Sequence, residues 1–233
     1  MASPTYTSAL IVGAGQGLSA SLTRLLRKEG LAVAIAARDT AKLAPLCAET
    51  GARAYRCDAQ DESQVQRLFA DIDREQGAPD VVVYNASART RGPFVQLVPA
   101  EVQHALQVTA FGAFLVAQQA TLRMLRKGHG AILFTGASAS VKGYAQSAPF
   151  AMGKFALRGL TQSLARELSP HGIHIAHFVI DGGIAGAGRR NDPDKPDAFL
   201  DPDAIALTYR NILRQPRSAW TSEIELRPWV ERF

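Results

Sequence analysis

Short apolar runs alternate with amphipathic stretches along the whole chain. Ser8–Val12, Ala32–Ala37, Ala52–Cys57, Val81–Tyr84, Ala131–Thr135 and His174–Ile180 read as strands, with a weaker one at Glu223–Leu226. Helix-length segments lie between them, near Gly17–Gly30, Thr40–Thr50, Asp61–Gly77, Pro99–Lys127 and Ala148–Ser169. Asp61 followed by Gln64 has the pattern of a capping box, and Gly30, Gly77 and Gly128 stand where helices should stop. Strands alternating with helices predict an α/β fold: a doubly wound, Rossmann-type parallel sheet of about seven strands covered on both faces. No repeat or linker divides the chain, so residues 1–233 are expected to form one domain.

Composition narrows the class. At 233 residues the chain can bury a sizeable core without staples, and 47% hydrophobic with 20% charged residues is ordinary for a globular protein. Cys47 and Cys57 form neither a metal pattern nor a disulfide framework, so no metal is expected. Met1–Tyr6 lacks the basic and apolar regions of a signal peptide, and the apolar stretch Ala110–Ala117 is too short to span a bilayer. The expected location is cytoplasmic, with no membrane partner. The net charge of +5 comes from scattered basic residues without interleaved aromatics, which argues against a nucleic-acid partner and suits an anionic cofactor.

One segment breaks the alternation. Gly182–Asp203 is polar and glycine-rich, about 20 residues long, and follows the sixth strand, so it should leave the carboxyl edge of the sheet. It reads as a substrate lid or as a disordered insertion.

The candidate cofactor chemistry lies at the first strand–helix junction, Gly13-Ala-Gly15-Gln16-Gly17-Leu18-Ser19. Glycines there let the backbone turn tightly and approach a pyrophosphate, while the helix N-terminus offers free N–H groups. The alternative is a tight turn without a ligand. With its Gly-x-x-x-Gly-x-Ser spacing, the chain here resembles the short-chain dehydrogenase/reductase family, whose loop reads Gly-x-x-x-Gly-x-Gly; further signatures follow in order along nearly the whole chain. Ser19 replaces the third glycine, at some cost in packing.

That resemblance assigns further positions. Ala37 stands where the family places an Asp for the ribose of NAD, and Arg38 beside it matches the pattern for the 2′-phosphate of NADP, so NADP(H) is expected over NAD(H). Otherwise Arg38 is a solvated charge. Asp58, with Ala59 beside it, would contact the adenine, or cap the following helix. Asn85 and Ala86 match the family's Asn-Asn-Ala-Gly, where Asn85 has a structural role tying strands together. Gly182 matches the glycine of a Pro-Gly after the sixth strand, and Ile184 would offer backbone groups to the carboxamide.

The family's Asn, Ser, Tyr and Lys proton relay maps here onto Thr109, Ala137, Phe150 and Lys154. In Phe150-Ala-Met-Gly-Lys154 the ring and the amine project from one helix face, but Phe has no proton to give. Only Lys154 is retained; by resemblance it would hold the nicotinamide ribose, or else be a solvated helix Lys. Ser138, Ser140 and Tyr144 are the nearby hydroxyl candidates to stand in, Tyr144 as acid or as pocket wall. A positioned acid is worth roughly a hundred- to ten-thousandfold in rate. The sequence therefore predicts an atypical NADP(H)-dependent oxidoreductase with a degenerate catalytic set and an unknown small-molecule substrate; the alternative is an inactive NADP(H)-binding sensor or partner subunit. By resemblance the long helices would pair between subunits in a homodimer or homotetramer, with Phe111, Leu115, Phe155 and Leu164 in that interface or in the core.

Overall fold

The computed structural model describes residues 5–186, 188–189 and 196–230. Seven strands form a single sheet: β1 (Ser8–Val12), β2 (Ala32–Ala37), β3 (Arg53–Arg56), β4 (Val81–Tyr84), β5 (Gly130–Thr135), β6 (Ile173–Ile180) and β7 (Glu223–Leu226). The order is β3-β2-β1-β4-β5-β6-β7, and every pair is parallel. The apolar runs mark these strands because helices cover both faces; all eight residues of β6 are buried.

Side-chain alternation divides the core in two. Ala9 and Ile11 of β1 face α1 (Leu18–Lys28), α2 (Ala44–Thr50) and a late helix running Pro202–Leu213. Leu10 and Val12 face α3 (Glu62–Gln76) and the long helices beyond it. Those are α4 (Pro99–Leu106), α5 (Gly112–Lys127) and α6 (Ala148–Leu168), so the late helix is α7. α4 and α5 join through a π-helical segment, Gln107–Phe111, making one continuous run. By length and composition alone Pro99–Lys127 would suffice to cross a bilayer. Here Ala113, Val116, Ala120 and Met124 pack it onto the sheet.

Three sequence expectations are corrected. The capping box is half formed: Asp61 Oδ1 accepts from Gln64 N at 3.1 Å, but Gln64 Oε1 turns to Asp58 N at 3.0 Å. α7 was missed, its start having been absorbed into the 182–203 loop; Asp201 caps it by accepting from Asp203 N, with Pro202 at its first position. Nor is the loop featureless, because its described ends are tied together: Ala185 N donates to Leu200 O and Leu200 N to Gly183 O, both at 2.8 Å. Ala187, Arg190 and residues 191–195, part of the anticipated lid, lie outside the described residues.

Strand order places β1 beside β4, with their crossovers leaving in opposite directions. A crevice opens outside the carboxyl ends of strands at such a reversal. The glycine loop after β1 and Asn85–Ala86 after β4 both lie there.

Candidate active site

The glycine loop is shaped by the strands beneath it. Gly13 N and Ala14 N both donate to Ala36 O at 3.0 Å, tying the loop to β2. Gly13 has φ +84°, and a Cβ there would lie 2.3 Å from Ala86 N, so a side chain is excluded by both conformation and space. At Gly15 and Gly17 an added Cβ would meet nothing within 4 Å; both face open cleft. Buried Leu18 anchors the start of α1, where Ala20 N and Ser21 N donate to Gly17 O and the N–H groups before them have no partner within the helix, while Gln16 is exposed on the rim. This is a cradle that fits a pyrophosphate.

Ser19 does more than fill the place of a glycine. Its Oγ donates to Gly13 O at 3.2 Å and accepts from Asn85 Nδ2 at 2.8 Å, joining the loop, α1 and the end of β4. The tie by Asn85 is therefore made partly through Ser19.

A cavity of about 510 Å³ runs from Gly13, Gly15 and Gln16 past Arg38 to Asp58, Ala59, Asn85 and Ala86. Arg38 stands exposed at its mouth, where Asp39 is paired with Lys42 at 3.3 Å. Asp58 does not cap α3, which is the work of Asp61; its carboxylate accepts from Gln60 N and Gln60 Nε2. A second cavity, about 420 Å³, lies between the glycine loop and Ile184–Gly186. Ile184 is held there by its bridge to Leu200.

The third cavity, about 440 Å³, contains Phe150, Ala137, Ser138, Tyr144 and Gly182. Gly182 has φ +154°, and a Cβ would press on Pro228 Cδ at 2.8 Å. Tyr144 is 46% exposed, with Lys142 Nζ 5.9 Å from its ring centroid. Ser140 is closed off: it is fully buried and its Oγ accepts from Ala137 N at 3.1 Å. Thr109 is absent from this cavity's lining; it is buried in the π-helical segment, where its Oγ1 accepts from Ala88 N at 3.2 Å.

Lys154 is not a solvated helix lysine. It is 3% exposed, and its Nζ donates to Thr135 O at 2.7 Å, 5.8 Å from the Phe150 ring centroid. Burial, and then the charge of Arg89, pull its pKa down to about 7. A buried amine with so low a pKa, next to a residue that lines the cavity, is uncommon for a purely structural lysine.

The sequence reading did not single out Arg89, Arg91, Ser147, Ile180 or Phe199, which also line the Phe150 cavity. Arg89 lays its guanidinium over the Phe150 ring, 3.9 Å from the centroid. No local spacing links residue 89 with residues 150, 189 and 199; the sheet topology alone brings them together.

A seven-stranded doubly wound sheet with a glycine cradle at its strand reversal defines a Rossmann-type nucleotide-binding class. The comparisons specify it. The short chain dehydrogenase family model matches residues 7–193, and the chain belongs to that family of oxidoreductases. A 3-oxoacyl-[acyl-carrier-protein] reductase of Mycobacterium avium is 28% identical over 177 residues, covering 76% of this chain and 67% of that protein. A short-chain dehydrogenase of Rhodopseudomonas palustris superposes with a TM-score of 0.83 at 32% identity, covering 97% of this chain and all of that one (100%). An alcohol dehydrogenase of Thermococcus sibiricus, solved with 5-hydroxy-NADP, shares the fold with a TM-score of 0.85 at 23% identity over 97% of this chain and 98% of that one.

Proposed function

We propose that the protein is an NADP(H)-dependent oxidoreductase whose proton donor is not the phenol usual in its family. The observation that carries this reading is the pairing of a complete adenosine-side cleft, with Arg38 at its mouth and no acid at Ala37, with a reactive side where Phe150 stands beside a retained, buried Lys154. When bound, the dinucleotide supplies or accepts the hydride. The chain's own residues do the rest. Gly13–Gly17 and the start of α1 hold the pyrophosphate, Arg38 the 2′-phosphate, and Asp58, Ala59, Asn85 and Ala86 the adenosine half. Lys154 Nζ, fixed on Thr135 O, keeps donors for the ribose hydroxyls. Gly182 and Ile184 border the carboxamide end.

Phe150 can move no proton, and Ala137 cannot bond a substrate oxygen. The cleft's hydroxyls, Ser138, Tyr144 and Ser147, are the groups left to do so. Substrates that need hydride but little acid help, such as an activated alkene or an imine, suit this site better than a simple ketone. The exposed Phe111, Phe114 and Phe155 of the long helices would meet a second copy in a homodimer.

Stopped-flow oxidation of pre-bound NADPH against carbonyl, enone and imine panels tests the activity. Turnover supports it; tight NADPH binding with no oxidation by any panel sends the reading to the sensor alternative. Arg38→Asp should reverse the NADPH/NADH affinity ratio, by about ten- to a hundredfold for loss of a charge-assisted pair. An unchanged ratio rejects Arg38 as the 2′-phosphate ligand.

A further inference from the structure

The Phe150 cavity is unusual in its charge. Arg89, Arg91 and Arg189 all line it, together with apolar Phe150, Ile180 and Phe199. Its one lining carboxylate, Asp181, is already occupied: Lys142 Nζ lies 3.1 Å and an Arg227 nitrogen 2.7 Å from Asp181 Oδ2. Among the described residues none of the three lining arginines makes an ion pair. Desolvation, and then the like charges of Arg91 and Arg189, hold the Arg89 pKa below the ordinary arginine value. Arg89 nonetheless stays exposed to the cavity, its guanidinium face resting on the Phe150 ring and its N–H edges available.

Three cations converging on one cleft repel each other until an anion joins them. The guanidinium fork matches a carboxylate or a phosphate, and the apolar walls ask for a hydrocarbon body behind it. Arg189 also borders the glycine-loop cavity, where it could serve the dinucleotide's phosphates, so the assignment stands on Arg89 and Arg91.

We infer that the substrate is a small carboxylate with an apolar body, its carboxylate held by Arg89 and Arg91 and its body laid against Phe150, Ile180 and Phe199. This rests on the reading of the Phe150 cavity as the substrate cleft. It also gives the Phe150 position a positive role. The ring carries the Arg89 guanidinium on its face, and the anion then orients the substrate where a phenol would otherwise have done so.

Benzoate and its neutral isostere benzamide test the inference by isothermal titration, with and without saturating NADPH. Benzoate should bind at least about tenfold tighter than benzamide, and Arg89→Met and Arg91→Met should each remove most of that preference. Methionine keeps a long apolar stem over the ring, and the benzoate/benzamide comparison on the unaltered protein does not depend on any variant folding. Equal affinities for the two compounds overturn the inference. So does a benzoate preference that survives both arginine variants but disappears with Arg38→Asp or on adding NADPH, which would place the anion at the cofactor side. Inorganic phosphate binding at Arg89 more tightly than benzoate overturns the carboxylate assignment. Arginine-dependent benzoate binding without any NADPH affinity would leave this inference standing and remove the cofactor reading; the reverse result would do the opposite.

Discussion

The two ends of the cleft are built on different principles. At the glycine-loop end, proposed to hold the adenosine, backbone does the work: two N–H groups fixed on Ala36 O, a glycine that admits no Cβ, and a serine bridging loop to strand. At the Phe150 end, proposed as the reactive one, side chains decide: a ring, a buried amine, the neighbouring Arg89 and Arg91, and the distant Arg189. Backbone sites tolerate few replacements because the conformation itself is at stake. Side-chain sites can exchange one group for another and keep the fold, so on the proposed reading a change of chemistry would collect at that end.

The largest effect should come from giving the reactive end back its hydroxyls. Phe150→Tyr with Ala137→Ser places a phenol one helical turn from Lys154, whose ammonium when protonated would lower the pKa of that phenol. Ketone reduction should rise by roughly a hundred- to ten-thousandfold, the usual worth of a positioned acid. Steady-state NADPH consumption with a ketone panel measures this. No gain would mean that the two ends differ by more than two hydroxyls, with Thr109, sequestered on Ala88 N, the next difference to address.

How much of each end could be read in the sequence follows the same division. The strands were legible because burial on both faces leaves continuous apolar runs, and β1, β2, β4 and β7 have the bounds expected. The glycine cradle was legible because its residues are contiguous. α7 was not read, although Asp201-Pro202 and buried Ile205, Ala206, Tyr209, Ile212 and Leu213 carry a cap and a helical period. The neighbouring polar, glycine-rich stretch masked its start. The reactive end was legible only where a family motif marks it. Arg89 and Arg91 follow Asn85-Ala86 with no periodicity of their own, and only the sheet order shows that they face Phe150.

A buried amine at one end and not at the other makes a second, smaller contrast, visible in stability. In the unfolded chain a lysine titrates near its ordinary value of 10.5, whereas folded Lys154 titrates near 7. Below pH 7 both states are protonated and the folded protein bears the full cost of a buried charge. Between those values the unfolded state binds the extra proton, so stability rises with pH and the cost is gone above the unfolded value. Measured against Lys154→Met by urea denaturation, the wild-type protein should gain up to about 1.4 kcal/mol per pH unit across that window. A stability difference that stays flat from pH 6.5 to 9.5 would show that Lys154 keeps its charge on folding.

The smallest expected effect probes the backbone end, where a restored family residue should do harm. Ser19→Gly recovers the Gly-x-x-x-Gly-x-Gly loop, yet it removes the acceptor for Asn85 Nδ2 and the donor to Gly13 O. Asn85 Nδ2 is left with Gly13 O at 3.4 Å. The lost bonds cost about 1 kcal/mol, and glycine in the first turn of α1 adds about 0.5 to 1 kcal/mol. Ser19→Ala separates the two, since it loses the bonds and keeps the helix former. Urea midpoints should therefore fall in the order wild type, Ser19→Ala, Ser19→Gly, with NADPH affinity following the same order. If Ser19→Gly were as stable as the wild type, the serine would be a neutral replacement, and the adenosine end would tolerate side-chain exchange as freely as the reactive end does.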